Sequence, residues 1–238
     1  MSKRSHAADT LVRQAERSIL SWIHREQLEP GDSLPSIDAI SHRLGVSRVV
    51  IREALQSLSA RGVLEIGNGR RARVRPVSSA PLVHYFEHMT GMQLSDLGEF
   101  IEVRIALEAH SAALAAVHHS EEDVARLKSI FEEMSACLDS LERFTALDID
   151  FHITVAKASG NRLLLHLIES VRHSMETLMR EGLARRETKQ RLRDVVTYHR
   201  KIVDGIASGN PEAAREAMNQ HFDSIARSIG TPDIRSEP

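Results

Sequence analysis

The side chains best equipped for chemistry in this chain are its histidines, 13 of them in 238 residues. Spacing selects among them. Asp148 and His152 are four apart, which on a helix sets both on one face, good geometry for two ligands of one metal ion. Asp38/His42, His84/His88 and Glu169/His173 share that spacing, and a solvated helix pair explains any one of these pairs taken alone. A second group is cationic. Arg48 and Arg52 are also four apart, and the run Arg70-Arg71-Ala72-Arg73-Val74-Arg75 is densely basic. Arginine pairs with guanine edges in the major groove, and with phosphate oxygens anywhere along a duplex.

The elements around these arginines fall in a telling order. Ser36 is placed to cap a helix carrying Ile37, Ile40 and Leu44, and Gly45 can take the positive φ that ends it. Ser47 is placed to cap the next helix, where Ile51, Leu55 and Leu58 form an inward stripe and leave Arg48, Val49 and Arg52 on other faces near its start. Gly62 closes that helix. Val63–Ile66 alternates as a strand, Asn68-Gly69 signals a tight hairpin turn, and the basic run returns as the second strand. Each piece alone reads as an ordinary turn or a solvated arginine. Together they predict a winged helix–turn–helix on double-stranded DNA, with Ser36, Ser47, Arg48, Val49, Arg52, Asn68, Gly69 and Arg71 at the interface.

This stretch closely resembles the winged-helix domain of the GntR family of bacterial transcription regulators. The resemblance is carried by Leu34-Pro35-Ser36, Gly45 to Arg48, Ile51 to Leu55, and Leu58 followed by Arg61-Gly62-Val63-Leu64. It departs at Asp38, where members of the fatty-acid-regulator type often carry an arginine that reaches DNA. A carboxylate there is repelled by phosphate but can accept from a cytosine amino group.

Composition bounds the rest. Apolar residues make up 42% and aromatics only 4%, which favours a mainly helical fold over a sandwich or barrel. The single cysteine, Cys137, excludes an intramolecular disulfide and a cysteine-based zinc site, and fits a reducing cytoplasm. The start, MSKRSHAADT, lacks the apolar segment of a signal peptide, and no run approaches a membrane span. Net charge is −2, but unevenly spread: residues 1–75 hold 13 basic and 8 acidic residues, the remainder 18 and 25. A basic front and an acidic rear suit DNA binding by the front alone.

In chain order, residues 1–8 read as frayed, and a helix capped by Asp9 or Thr10 runs to about Arg25 with Leu11, Ala15, Ile19 and Ile23 or Trp22 inward. The winged-helix domain then occupies 1–76, a proline-bracketed linker 77–81, and a helical domain 82–230. Seven helices are expected in the latter, near 82–90, 95–117, 120–140, 141–158, 162–183, 187–207 and 211–228. Ser120 opens a capping box, and Asn210-Pro211 gives a cap and a first helical proline.

The rear domain resembles, more loosely, the effector-binding FCD domain of the fatty-acid-regulator subfamily. The resemblance rests on Glu102-x-Arg104-x-x-Leu107-Glu108, Asp148-x-x-Phe151-His152, Ala158-Ser159-Gly160-Asn161, Tyr198-His199-Arg200, and Asn210-Pro211-x-Ala213-Ala214 leading to Met218 and His221. It implies a divalent metal held by Asp148, His152, His199 and His221, with Zn²⁺ foremost and Ni²⁺ or Mn²⁺ also suited. It further implies that Arg104 grips the carboxylate of a small organic acid effector, the alternative being an ion pair with Glu108 four residues on. The whole reads as a homodimeric regulator, a repressor on a palindromic operator, and not an enzyme. Its rivals are a metal-free acyl-CoA-type sensor, a metal-dependent hydrolase using Glu102 or Glu108 as base, and an architectural DNA-binding protein without an effector.

Overall fold

The structure, a computed structural model, describes residues 2–67, 70–92, 97–182 and 189–229. It forms two compact units, Met1–Pro81 and Leu82–Pro238.

The first unit contains α1 (Ser2–Arg25), α2 (Ile37–Leu44), α3 (Arg48–Ala60) and a short antiparallel ladder of β1 (Leu64–Glu65) with β2 (Arg73–Val74). The serine caps are in place: Ser36 Oγ accepts from Ala39 N at 3.2 Å, and Ser47 Oγ accepts from Val50 N at 3.3 Å. Gly45 sits at φ 66° and turns the chain between the two helices. Ile19, Leu34, Ile40, Ile51, Leu58 and Leu64 are fully buried, each contributing roughly 1.5–3 kcal/mol by leaving water. Leu11, expected inward, is 40% exposed, because the helices that cover Ala15, Ile19 and Ile23 do not reach it. The helix also starts well before Asp9: no glycine or proline interrupts the chain from Ser2 to Arg25.

The strands are shorter than the sequence suggested. In exchange, the segment before α2 joins them: Gly31 N donates to Val74 O and Leu34 N to Ala72 O, both at 2.8 Å, while Val74 N donates to Asp32 O at 2.9 Å. The base of the wing is therefore hydrogen-bonded on both sides of β2. Register pairs Leu64 with Val74 facing inward and Glu65 with Arg73 facing outward. Asn68 and Gly69, the expected turn, lie outside the described residues.

The second unit has seven helices among the described residues: α4 (Ala80–Gly91, so helix has begun inside the expected linker), α5 (Leu97–His118), α6 (Glu121–Ala136), α7 (Leu141–Ala158), α8 (Arg162–Gly182), α9 (Lys189–Ala207) and α10 (Pro211–Ile229). Ser120 and Asp123 form the reciprocal capping box of α6. That helix ends at Ala136 rather than near Ser140, since Ser140 is used to cap α7. Asn210 Oδ1 accepts from Ala213 N at 3.1 Å, with Pro211 at the first helical position. Small residues set the spacing. Ala112, Ala113, Ala115 and Ala116 are buried along α5, and a Cβ on Gly205 would stand 2.7 Å from Ala214 N, so α9 and α10 can meet this closely only with glycine there. Among the described residues no helix is long and apolar enough to cross a membrane.

Candidate functional site

The seven-helix unit buries polar groups where a core is normally apolar. Arg104 and Glu108 of α5, His152 of α7, Arg172 of α8, His199 of α9 and His221 of α10 are all at most 5% exposed. Asp148 of α7, one turn before His152, retains 25% of its side-chain surface. Three helices thus deliver Asp148, His152, His199 and His221 to one point, and one ligand atom from each lies within 4.8 Å of the others.

A hydrogen bond orients one imidazole and a neighbouring carboxylate a second. His199 Nδ1 is 2.8 Å from Val195 O; a carbonyl only accepts, so Nδ1 carries the proton and Nε2 presents a lone pair. His152 Nδ1 lies 2.5 Å from Glu108 Oε2, a close contact although not a well-directed hydrogen bond, and its Nε2 faces inward. The two Nε2 atoms are 3.3 Å apart, with Asp148 Oδ1 at 3.2 Å from that of His199 and 3.7 Å from that of His152. Two lone pairs and a carboxylate oxygen repel at this range unless a cation stands among them. Donors bonded at ~2.0–2.2 Å to one metal lie roughly 3.0–3.5 Å from one another, so the spacing fits. Both ring nitrogens of His221 are buried with no hydrogen-bond partner, a costly arrangement that a metal bond would repair. The residues present fit a divalent ion.

Around them is a charge-balanced shell. Glu108 receives Arg104 Nε at 2.7 Å and Arg172 Nε at 3.2 Å, with Arg172 Nη2 at 3.4 Å from its other oxygen; Arg172 Nη1 reaches Asp148 Oδ2 at 3.4 Å. Burial alone would raise Glu108, but Arg104, Arg172 and His152 hold it well below the ordinary carboxylate value. Asp148 is likewise held low against burial by His152, His199 and Arg172. Burial, with Arg172 adding repulsion, pushes His152 down to about 4. Burial and the neighbouring His199 and His152 push His221 well down too. These imidazoles are therefore neutral at physiological pH, the form that binds metal.

Of the four pairs with matching spacing, Asp148/His152 alone, among the described residues, lies in a cluster of three or more ligand-type side chains with mutually close donor atoms. Asp38 turns to Arg48, Glu169 to His166, and His84 and His173 both face Glu87. The Arg104–Glu108 pair expected as the alternative is formed. Arg172 escaped the sequence reading. Its one signal was a position on α8 beside an otherwise apolar face, which without a fold says nothing about its partner.

At the winged helix, Arg48, Val49 and Arg52 are exposed near the start of α3, away from buried Ile51, Leu55 and Leu58. Arg70, Arg71, Arg73 and Arg75 are exposed, while Ala72 and Val74 are buried beneath them. The two capping serines accept from backbone, which leaves each hydroxyl hydrogen able to donate to a phosphate.

A winged helix–turn–helix with a basic outer face, joined in one chain to a helical domain with a buried polar centre, is the build of a transcription regulator that carries its own sensor. The chain belongs to the GntR family of bacterial regulatory proteins, and within it to the members with an FCD domain. The model described as bacterial regulatory proteins of the gntR family matches residues 11–74, and that of the FCD domain residues 99–224. The chain is 31% identical over 208 residues to the HTH-type transcriptional regulator LutR of Bacillus subtilis, covering 85% of this chain and 94% of that one. It is 27% identical over 231 residues to the HTH-type transcriptional repressor NanR of Salmonella typhimurium, covering 95% and 87%. Among solved structures it is similar to the GntR protein of Streptococcus agalactiae, with a TM-score of 0.73 and 27% identity over 91% of this chain and 99% of that one. The protein is a DNA-binding transcription regulator rather than an enzyme. The hydrolase alternative had its own weakness: Glu102 is exposed, and Glu108 is held by two arginines and a histidine.

Proposed function

We propose that this regulator is a cytoplasmic repressor that binds a palindromic operator as a homodimer and is released by a small organic acid sensed through a metal. Residues 1–76 form the DNA-binding part, 77–81 the connection, and 82–230 the sensor. Arg48, Val49 and Arg52 meet base edges; Ser36, Ser47, Asn68, Gly69 and Arg71 meet the backbone or minor groove. Asp148, His152, His199 and His221 hold one divalent ion, Zn²⁺ foremost, with Ni²⁺ or Mn²⁺ also suited to a set of three imidazoles and one carboxylate. When bound, the ion supplies a positive, Lewis-acidic point for a carboxylate. Arg104 orients the acid, and Glu108 with Arg172 keeps His152 and Asp148 in place.

The observation that carries this reading is the convergence of two inward Nε2 lone pairs, 3.3 Å apart, with the Asp148 oxygen and the unpartnered His221 ring. The test is a thermal-shift screen of organic acids with and without chelator, followed by operator titrations. An effector must bind two states of the regulator unequally, so the acid that raises the melting temperature also weakens operator binding, by a typical coupling of roughly 1–3 kcal/mol. Arg104→Ala abolishes that response and leaves operator binding by the free protein near normal. A wild-type response in Arg104→Ala places the acid elsewhere, and protein that takes up no metal ends the metal reading.

A further inference from the structure

Asp38 and Arg48 form an ion pair across the turn: Arg48 Nε lies 2.7 Å from Asp38 Oδ1, with the two side chains 69% and 64% exposed. An acid in the first turn of α2 is favoured by that helix's own dipole, which explains a carboxylate at Asp38 but not its partner. Among the described residues Arg52, one turn further along α3, has no such carboxylate. So exposed a pair contributes little to stability, and its consequence lies in what it does to the arginine.

Arg48 is the first residue of α3, where a recognition helix meets base edges. The carboxylate takes the Nε side of the guanidinium and leaves the Nη1/Nη2 end facing away from it. That end still matches the O6/N7 edge of guanine bidentately. An arginine held at Nε also has fewer rotamers to lose on docking, and the carboxylate penalises a swing to phosphate. We propose that Asp38 is a positioning residue that aims Arg48 at a guanine and so sets operator specificity. This rests on α3 being the base-reading helix.

The test takes the full-length wild type, Asp38→Ala, Asp38→Asn and Arg48→Ala through selection on a pool of randomised double-stranded DNA, with a melting curve for each. The wild type enriches a motif containing a guanine, preferred roughly tenfold or more for a bidentate contact, that Arg48→Ala loses. Asp38→Ala melts with the wild type, keeps the rest of the motif, accepts other bases at that position, and binds unrelated duplex as well or better because a negative charge is gone. Asp38→Asn, whose amide oxygen can still accept from Nε, restores part of the preference. If Asp38→Ala selects the same guanine as strongly as the wild type, or weakens all sequences equally, Asp38 does not position Arg48, though base reading by Arg48 stands. If Arg48→Ala retains the motif, base reading by Arg48 falls and this inference falls with it. A lowered melting temperature in Asp38→Ala shifts the comparison to Asp38→Asn, where a guanine preference weaker than the wild type's supports the proposal and an undiminished one overturns it.

Discussion

Each half of this molecule contains an arginine paired with a carboxylate at 2.7 Å, and the two pairs could hardly differ more in setting. Arg48 and Asp38 keep 69% and 64% of their side-chain surface in solvent; Arg104 and Glu108 keep 4% and 2%. In water the exposed pair is worth little and can be exchanged for another partner at little cost, which suits a surface that must give up hydration to DNA. In the core the charges have already lost their water, so each depends on the other, and on Arg172 and His152 besides. The lesson is that one half keeps its charges available and the other keeps them committed.

The largest effect should come from breaking the committed set. Glu108→Ala takes the carboxylate from Arg104, leaves Arg172 with only Asp148, and removes the oxygen beside His152 Nδ1, and breaking a buried pair this way costs about 3–5 kcal/mol. Asp38→Ala, the matching change outside, should stay below about 1 kcal/mol. Urea titrations of both variants check the contrast, and equal midpoints would erase it.

Next is the ion itself. Wild-type protein should bind about one divalent ion per chain, read by elemental analysis, and ligand at a hundred times its Kd adds about 2.7 kcal/mol to stability. His152→Ala or His221→Ala should lose it, whereas His84→Ala or His173→Ala should not, since those rings face Glu87 at the surface. The metal-stripped protein should itself depend on pH. An unfolded histidine takes a proton near pH 6.5, but folded His152 only near 4, so the unfolded state binds more protons between those values. Stability is then full above about 6.5 and falls as pH drops toward 4, by on the order of 3 kcal/mol. His152→Ala should flatten that fall in the stripped protein.

At the exposed end, Arg48→Ala and Arg52→Ala should each cost about 1–3 kcal/mol in binding to a selected operator, with the fold intact. Competitive mobility shifts measure it. Undiminished affinity in both variants would remove α3 from the interface.

How much of this the sequence disclosed follows from the same contrast. Elements announced themselves where the cause is local: Ser36, Ser47 and Ser120 as caps, Gly45 as a stop, Asn210-Pro211 as a start. Asp148 and His152 showed their geometry because both sit on α7. His199 and His221 were reached only through resemblance, because nothing in the chain itself says that α9 and α10 bring them to α7. Arg172 was missed for the same reason: its partners are 64 and 24 residues away. The clasp of residues 31–34 on β2 was also missed, since backbone pairing between distant segments leaves little trace in composition. Asp38 looked like a departure from a pattern, and its meaning depended on finding Arg48 beside it.

The smallest effect belongs to the wing, and it separates two kinds of exposed arginine. Arg71 is exposed near the tip of the wing, while Ala72 and Val74 anchor the strand below it. Unlike Arg48, it stands outside the serine-capped start of α3 and, among the described residues, has no carboxylate to fix one edge of its guanidinium. A charge presented in this way suits phosphates, which are alike at every step of the duplex. Removing it should therefore weaken binding to operator and to unrelated DNA by the same factor, leaving the ratio between them unchanged. Each phosphate neutralised releases condensed counterions, so the slope of log K against log salt should become shallower by about 0.9. Titrations of Arg71→Ala at several salt concentrations, on a selected operator and on an unrelated duplex, read both quantities together. A changed ratio with an unchanged slope would move Arg71 from the backbone to a base edge in the minor groove, and the division between α3 as reader and the wing as clamp would have to be redrawn.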